Sequence, residues 1–417
     1  MKSFYLWSAN QKSTALSRFK ILFVLLSLFA FKAEAQAPFF SSKSQISLIT
    51  CSPGSELYSV FGHSAIRVHD TTSNTDLIFN YGVFDFNTPH FYWKFIRGKL
   101  RYQLAIQRTD DFVRAYAMEG RSVKEEKLQL TQSEKRRVIY FLRKNYRPEN
   151  RYYLYDFFYN NCSTKIWDVA DEQIPAELVF DTSVYTRQSF REMLEPYLEK
   201  APWSKLGIDL LLGIPADKIA TFEQQMYLPD YLSRNMSHTL REEAIGGKEK
   251  LLGPEQVILE RDPRRSGLKK PFFTPLLVFG LVLVVSVGIT IWGSRGTKRW
   301  LDVFLAGLPA LLGVVLLFMW FGTNHQQMDG NLNLLWANPL GLIFIYFLLR
   351  KSPRLAGWWA GVLLVFLVIN LAGWTFLPQQ FNLALLPLVF ALAIRGADHF
   401  LAVCCPLRRI TPLSGVK

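Results

Sequence analysis

The apolar positions of this chain change their spacing several times, and each change marks an element. An apolar run at 21–31 follows Lys2, Lys12, Arg18 and Lys20 and stops before Ala33-Glu34-Ala35. This is the layout of a cleaved secretory signal over residues 1–35, since the run is only about half as long as a bilayer crossing requires. Strand-like runs follow at 45–51, 63–68 and 77–84, and a polar turn at 70–76 joins the last two as a hairpin. Leu100, Tyr102, Leu104 and Ile106 alternate with Arg101, Gln103 and Ala105, so a further strand buries one face. The period then becomes helical. Thr131-Gln132-Ser133-Glu134 has the form of a capping box opening a helix through Val138, Phe141 and Leu142. A second helix starts near Asn161, with Ile166, Val169 and Ala170 on one face. Residues 185–250 read as helices and loops.

From Pro271 the hydropathy changes character. Membrane helices are predicted at 271–292, 301–322, 335–349, 355–376 and 381–403, the third of them short. Arg295, Lys298 and Arg299 follow the first helix, and Arg350, Lys351 and Arg354 follow the third. Arg395, Arg408, Arg409 and Lys417 lie in or after the fifth, whereas the loops 323–334 and 377–380 hold no Lys or Arg. The positive-inside rule therefore places residues 36–270 on the periplasmic side of a bacterial inner membrane, in agreement with the signal. Cys404 and Cys405 fall on the cytoplasmic side.

The expected architecture is α+β. A thiol-enzyme-like periplasmic domain at 36–200 is followed by a helical extension and juxtamembrane linker at 201–270, then an all-α transmembrane bundle of about five helices at 271–417. The net charge of +14 does not alter this picture. Residues 1–35 hold five Lys or Arg against one Glu, and 271–417 hold ten against three Asp, so only +3 falls on 36–270. The exported part is nearly neutral, and nucleic acid is not an indicated partner.

The sharpest chemistry lies in two segments, Phe61-Gly62-His63-Ser64-Ala65-Ile66-Arg67-Val68 and Tyr159-Asn160-Asn161-Cys162-Ser163-Thr164. His63 opens a strand. Cys162 opens a helix, behind two Asn able to cap it. A helix N-terminus and a nearby imidazole both lower a thiol pKa, so the pair has the makings of a thiolate nucleophile and a general acid. Two plainer readings stand beside it. Cys162 is an inert small hydrophobe, or it forms a disulfide with Cys51, as exported domains often do.

The order of a strand His followed by Asn-Cys at a helix start resembles the circularly permuted papain-like superfamily, which includes the NlpC/P60-like and lecithin:retinol acyltransferase proteins. A closer resemblance spans most of the exported domain. Thr50-Cys51-Ser52-Pro53-Gly54, Gly62-His63-Ser64-Ala65-Ile66-Arg67, Asn80-Tyr81-Gly82-Val83-Phe84-Asp85-Phe86 and Asn161-Cys162-Ser163-Thr164 resemble the Lnb N-terminal periplasmic domain family, whose members often carry a C-terminal membrane region. That resemblance implies lipoprotein N-acyltransferase activity with His63 and Cys162 as the catalytic pair. The acyl donor would be a membrane phospholipid, and the acceptor the lipidated N-terminal Cys of a lipoprotein. Rival readings are a peptidoglycan peptidase or amidase of the same superfamily, and a non-catalytic envelope assembly protein.

An imidazole in such a site needs an orienting partner. With the hairpin turn centred near Ser73, Tyr81 and Asp85 are the expected orienters, and a one-residue shift of register would select Asn80 instead. Arg67 is a candidate for a lipid phosphate. The segment Phe91-Tyr92-Trp93-Lys94-Phe95-Ile96-Arg97 suits the lipid interface for one half and core packing for the other. His325, in the loop with Asp329, Asn331 and Asn333, is a candidate contact for a substrate head group. No Walker loop, dinucleotide fingerprint or metal-ligand spacing is present, so no cofactor or metal is expected.

Overall fold

The alternating segments become strands of one antiparallel sheet in the computed structural model, which describes residues 40–243, 247–266 and 270–405. The expected signal segment and the basic positions Arg408, Arg409 and Lys417 lie outside the described residues. The chain runs β1 (Gln45–Cys51), β2 (His63–Asp70), β3 (Thr75–Val83), α1 (Phe91–Ile96), β4 (Arg101–Arg108), α2 (Thr109–Met118), β5 (Val123–Leu128), α3 (Gln132–Tyr146), β6 (Tyr152–Leu154) and α4 (Cys162–Gln173). It continues through β7 (Glu177–Phe180), α5 (Phe190–Leu198), α6 (Pro202–Leu211), α7 (Phe222–Gln225), α8 (Pro229–Ser237), β8 (Thr239–Glu243), β9 (Gly247–Lys250) and β10 (Leu252–Leu259).

The large sheet has the order β10-β5-β1-β2-β3-β4-β6. Central β1 is buried on both faces, with Ser47 and Thr50 enclosed alongside its apolar residues. On one face Ile49, Cys51, Ala65 and Ile78 pack against Phe112 of α2. On the other, α4 lies across β2 and β3, with α3 beside it. The capping box of α3 forms as the sequence predicts, with Thr131 and Glu134 bonding reciprocally. One expectation changes. The segment 201–270, read as a helical extension and linker, also returns β10 to pair with β5 at the sheet edge, and β8 and β9 join β7 in a small second sheet.

A short helix α9 (Pro263–Ser266) precedes the membrane region, which contains α10 (Pro275–Trp292), α11 (Arg295–Gly322), α12 (Gly341–Leu349), α13 (Pro353–Ala372) and α14 (Leu386–Cys404). Among the described residues four helical segments are long and apolar enough to cross a bilayer. The expected third crossing is broken. α12 has nine residues, about 14 Å at the usual rise, against a hydrocarbon core of about 30 Å. Its end nevertheless meets the start of α11, where Arg299 Nη2 donates to the Leu349 carbonyl at 2.9 Å. The irregular chain before α12 therefore carries the rest of that passage, with Trp336 and Ala337 buried against protein. Irregular backbone at that depth is tolerated only where protein or a cavity satisfies it. Arg395, grouped above with the cytoplasmic charges, is instead buried inside the bundle. Its guanidinium grips the Asp302 carboxylate at 2.6 and 2.9 Å.

The loop at 323–334 differs most from its sequence. Its polar residues suggest hydration, yet Asn331 and Asn333 are buried and donate to the Leu210 and Asp209 carbonyls at the end of α6. Gly213 N–H donates to the Gln327 carbonyl at 2.8 Å. These bonds fasten the sheet-bearing part of the chain to the spans.

Candidate functional site

Cys162 is placed by a cap. Asn161 Oδ1 accepts the N–H groups of Ser163 and Thr164 at 2.8 and 3.0 Å, and Thr164 Oγ1 accepts Asn161 N–H at 2.8 Å. The Asn161 amide also donates to the Phe157 and Tyr227 carbonyls, so the start of α4 is fixed from both sides. The thiol thus sits at the first residue of a helix, at the positive end of the helix dipole, which favours negative charge.

His63 comes from the start of β2. The β2–β3 register pairs Arg67 with Ile78; continued along the strands, it sets His63 opposite Gly82 and on the same face as Asn80. His63 Nε2 accordingly donates to Asn80 Oδ1 at 2.7 Å, leaving Nδ1 for the thiol. Gly82 has φ +89° and lies where β3 breaks register with β4. A Cβ there would stand 3.5 Å from Cys162 Cβ and 3.9 Å from the His63 ring, so the bulge brings the two functional side chains over one glycine.

The electrostatics of the two groups are mutual. Burial pushes the Cys162 thiol up, but the His63 charge, its hydrogen bond, the Ser64 N–H and the Ser163 hydroxyl outweigh burial and bring it to about 7. Burial alone would lower His63, yet the Cys162 charge and the bonds to Cys162 and Asn80 raise it above the usual imidazole value. The arrangement favours a thiolate–imidazolium pair near neutral pH, which can attack an acyl carbon and protonate a leaving group.

Cys51 stands directly across the β1–β2 ladder from His63 and is fully buried. Both it and Cys162 are free thiols, so the two are not joined in a disulfide. Burial pushes the Cys51 thiol up to about 12.

The other expected residues have different occupations. Tyr81 points to the opposite sheet face and donates to Asn145 Oδ1 at 2.7 Å. Asp85 lies past the end of β3 and accepts Asn87 N–H in a turn. Asn80, the shifted-register alternative, is the residue that holds the ring. The Arg67 guanidinium is taken up by Asp76 at 2.6 Å and Glu125 at 2.9 Å, and no longer suits a lipid phosphate. His325 Nε2 bonds the Phe95 carbonyl at 3.1 Å, fixing the loop to α1 rather than a substrate. Sequence reasoning missed Ser64, Ser163 and the half-buried tyrosines Tyr153 and Tyr155 beside Cys162. The two serines adjoin His63 and Cys162 in the chain, and that adjacency was the available signal. Among the described residues no group of His, Cys, Asp or Glu is arranged to hold a metal.

Asp156, at the base of the turn that leads to Cys162, accepts Gln327 Nε2 from the loop between the spans at 2.6 Å. The site therefore belongs to an integral membrane protein whose extramembrane domain carries a thiol–imidazole pair close to the spans. The chain belongs to the Lnb family: residues 32–194 match the Lnb N-terminal periplasmic domain and residues 268–404 the Lnb transmembrane domain. The sheet-bearing domain is thus the periplasmic part of a membrane protein. No curated protein and no solved structure matches the chain.

Proposed function

We propose that this protein is a lipoprotein N-acyltransferase of the inner membrane, crossing it several times with its N-terminal domain in the periplasm. The observation that carries the reading is the Cys162–His63–Asn80 arrangement at a helix N-terminus, beside the loop that joins two spans. In the first half-reaction the Cys162 thiolate attacks an ester carbonyl of a membrane phospholipid. The new C–S bond replaces the C–O bond to glycerol, and His63 gives its proton to the departing alkoxide, releasing a lysophospholipid. In the second, the α-amine of a lipoprotein's lipidated N-terminal Cys attacks the thioester. His63 takes the amine proton as the thiolate leaves, which restores the resting pair. Asn80 keeps the imidazole aimed throughout. A membrane setting suits this chemistry because donor and acceptor are both anchored in the bilayer.

The test is purified protein with phospholipid vesicles and a diacylated lipopeptide. The expected products are a lipopeptide heavier by one fatty acyl group on its amine and an equivalent of lysophospholipid. Cleavage of cell-wall peptides with no acyl transfer would replace this reading with the peptidase one.

A further inference from the structure

Helix α1 exposes a row of large apolar side chains that the protein covers only in part. Tyr92, Trp93, Phe95 and Ile96 are 74%, 54%, 50% and 41% exposed, while Phe91 faces inward. The position of this helix identifies what covers them. Trp93 stacks on Phe318 of α11, ring centres 5.9 Å apart, one turn before that span ends. Arg97 Nε donates to the Gly322 carbonyl at 3.2 Å, and Asn324 N–H donates to the Arg97 carbonyl at 3.0 Å. Gly98, at φ +64°, allows the close approach, because a Cβ there would lie 3.3 Å from both Asn324 and His325. α1 is therefore fastened at the level where an apolar span emerges. Its Trp and Tyr, with Lys94, Arg97 and Lys99 alongside, form the composition that lies stably at a bilayer surface.

Behind α1 an unbroken row of aromatic rings leads inward. Phe95 lies against Phe91 at 6.3 Å, Phe91 against Phe84 at 5.7 Å, and Phe84 against Tyr102 at 5.1 Å. Tyr102 stacks on Tyr155 at 4.3 Å, and Tyr155 is an electrostatic neighbour of Cys162. An acyl ester lifted from a leaflet to a thiol above it exposes methylenes to water unless an apolar wall accompanies it. Phe84 and Tyr155 keep part of their surface open along this row, with Phe91 and Tyr102 packed behind them, which supplies such a wall between the membrane surface and the thiol.

We propose that α1 seats in the leaflet facing the periplasmic domain and that the Phe91–Phe84–Tyr102–Tyr155 row guides the donor phospholipid's acyl chain to Cys162. The proposal rests on the acyl-thioester reading above and adds where the donor enters. Its test is the variant Trp93→Ser/Phe95→Ser in the full-length protein, with phosphatidylethanolamine–phosphatidylglycerol vesicles as donor. Formation of the Cys162 acyl adduct should fall at least tenfold, while alkylation of Cys162 by iodoacetamide, which reads the thiol pair alone, stays as in wild type. An undiminished rate of adduct formation overturns the entrance.

If the variant also loses alkylation, the site has been disturbed. A second measurement then decides. p-Benzoylphenylalanine replacing Tyr92 should crosslink to vesicle phospholipid on irradiation, whereas the same group replacing Tyr140, exposed on α3, should not. Absence of lipid crosslinks at position 92 overturns the proposal. A wild-type protein that forms no adduct at all contradicts the thioester reading, and the crosslink then tests the seating of α1 separately.

Discussion

Two thiols flank the same imidazole and have opposite characters. Cys51 lies across the ladder from His63 on central β1, enclosed by Ile49, Ala65, Phe112 and Val123. Cys162 approaches from the other element, at the tip of α4, with the His63 ring, the Ser64 N–H and the Ser163 hydroxyl beside its sulfur. Both lose water. At Cys51 nothing replaces it in sufficient strength, and the thiol is held near 12; at Cys162 charge and hydrogen bonds overcompensate, and it falls to about 7. Standing across a ladder from a histidine is therefore not enough to activate a cysteine. What matters is whether the donors point at the sulfur, and that is set by the cap at Asn161 and the bulge at Gly82.

The sharpest way to break this contrast is to remove the favoured thiol. Cys162→Ala should abolish the acyl adduct and lower transfer to the lipopeptide by about 10⁴-fold or more, as measured by mass spectrometry of both products. His63→Ala should follow, with a loss of roughly 10²- to 10⁴-fold, because one group serves as acid and base in turn. It should also erase the difference in neutral-pH alkylation that marks Cys162.

Asn80→Ala tests the orienting bond. Loss of a single hydrogen bond worth about 1.4 kcal/mol corresponds to roughly tenfold in rate. Tyr81→Phe, changing the neighbour whose hydroxyl bonds Asn145 on the far face, should leave the rate within about twofold. Equal losses in the two variants would mean that the register, not the residue, had been misjudged. The smallest effect belongs to Cys51→Ala. Acyl transfer should stay within about twofold, with a stability loss of about 1 kcal/mol in denaturant titration from the vacated buried volume.

Much of this contrast is readable in the amino-acid sequence. The strand-like run at β1, the alternation along β4, the capping box of α3, and the polar cap ahead of Cys162 are local signals, and the elements form where those signals lie. What escaped was non-local. A hairpin centred half a residue from Ser73 changes which face Tyr81 and Asn80 occupy, and side-chain alternation gives no means of detecting so small a shift. The pairing of β10 with β5 joins segments far apart in sequence, so the polar 201–270 region hid an edge strand. Asn331 and Asn333 looked solvated because the carbonyls that satisfy them belong to α6. Arg67 looked available for an anion because Asp76 and Glu125 become its neighbours only after the strands pair.

The account stands most directly on the titration of the two thiols. Wild-type protein in detergent is pulsed with iodoacetamide from pH 5 to pH 9, and modification is read peptide by peptide. Reactivity follows the thiolate fraction, so Cys162 labelling should rise with a midpoint near pH 7, and Cys51 should remain unlabelled across the range while the protein is folded. A Cys162 midpoint near the ordinary thiol value of about 8.5, or labelling of Cys51 at a comparable rate, would contradict the claim that the cap, the imidazole and the Ser64 amide make Cys162 the nucleophile.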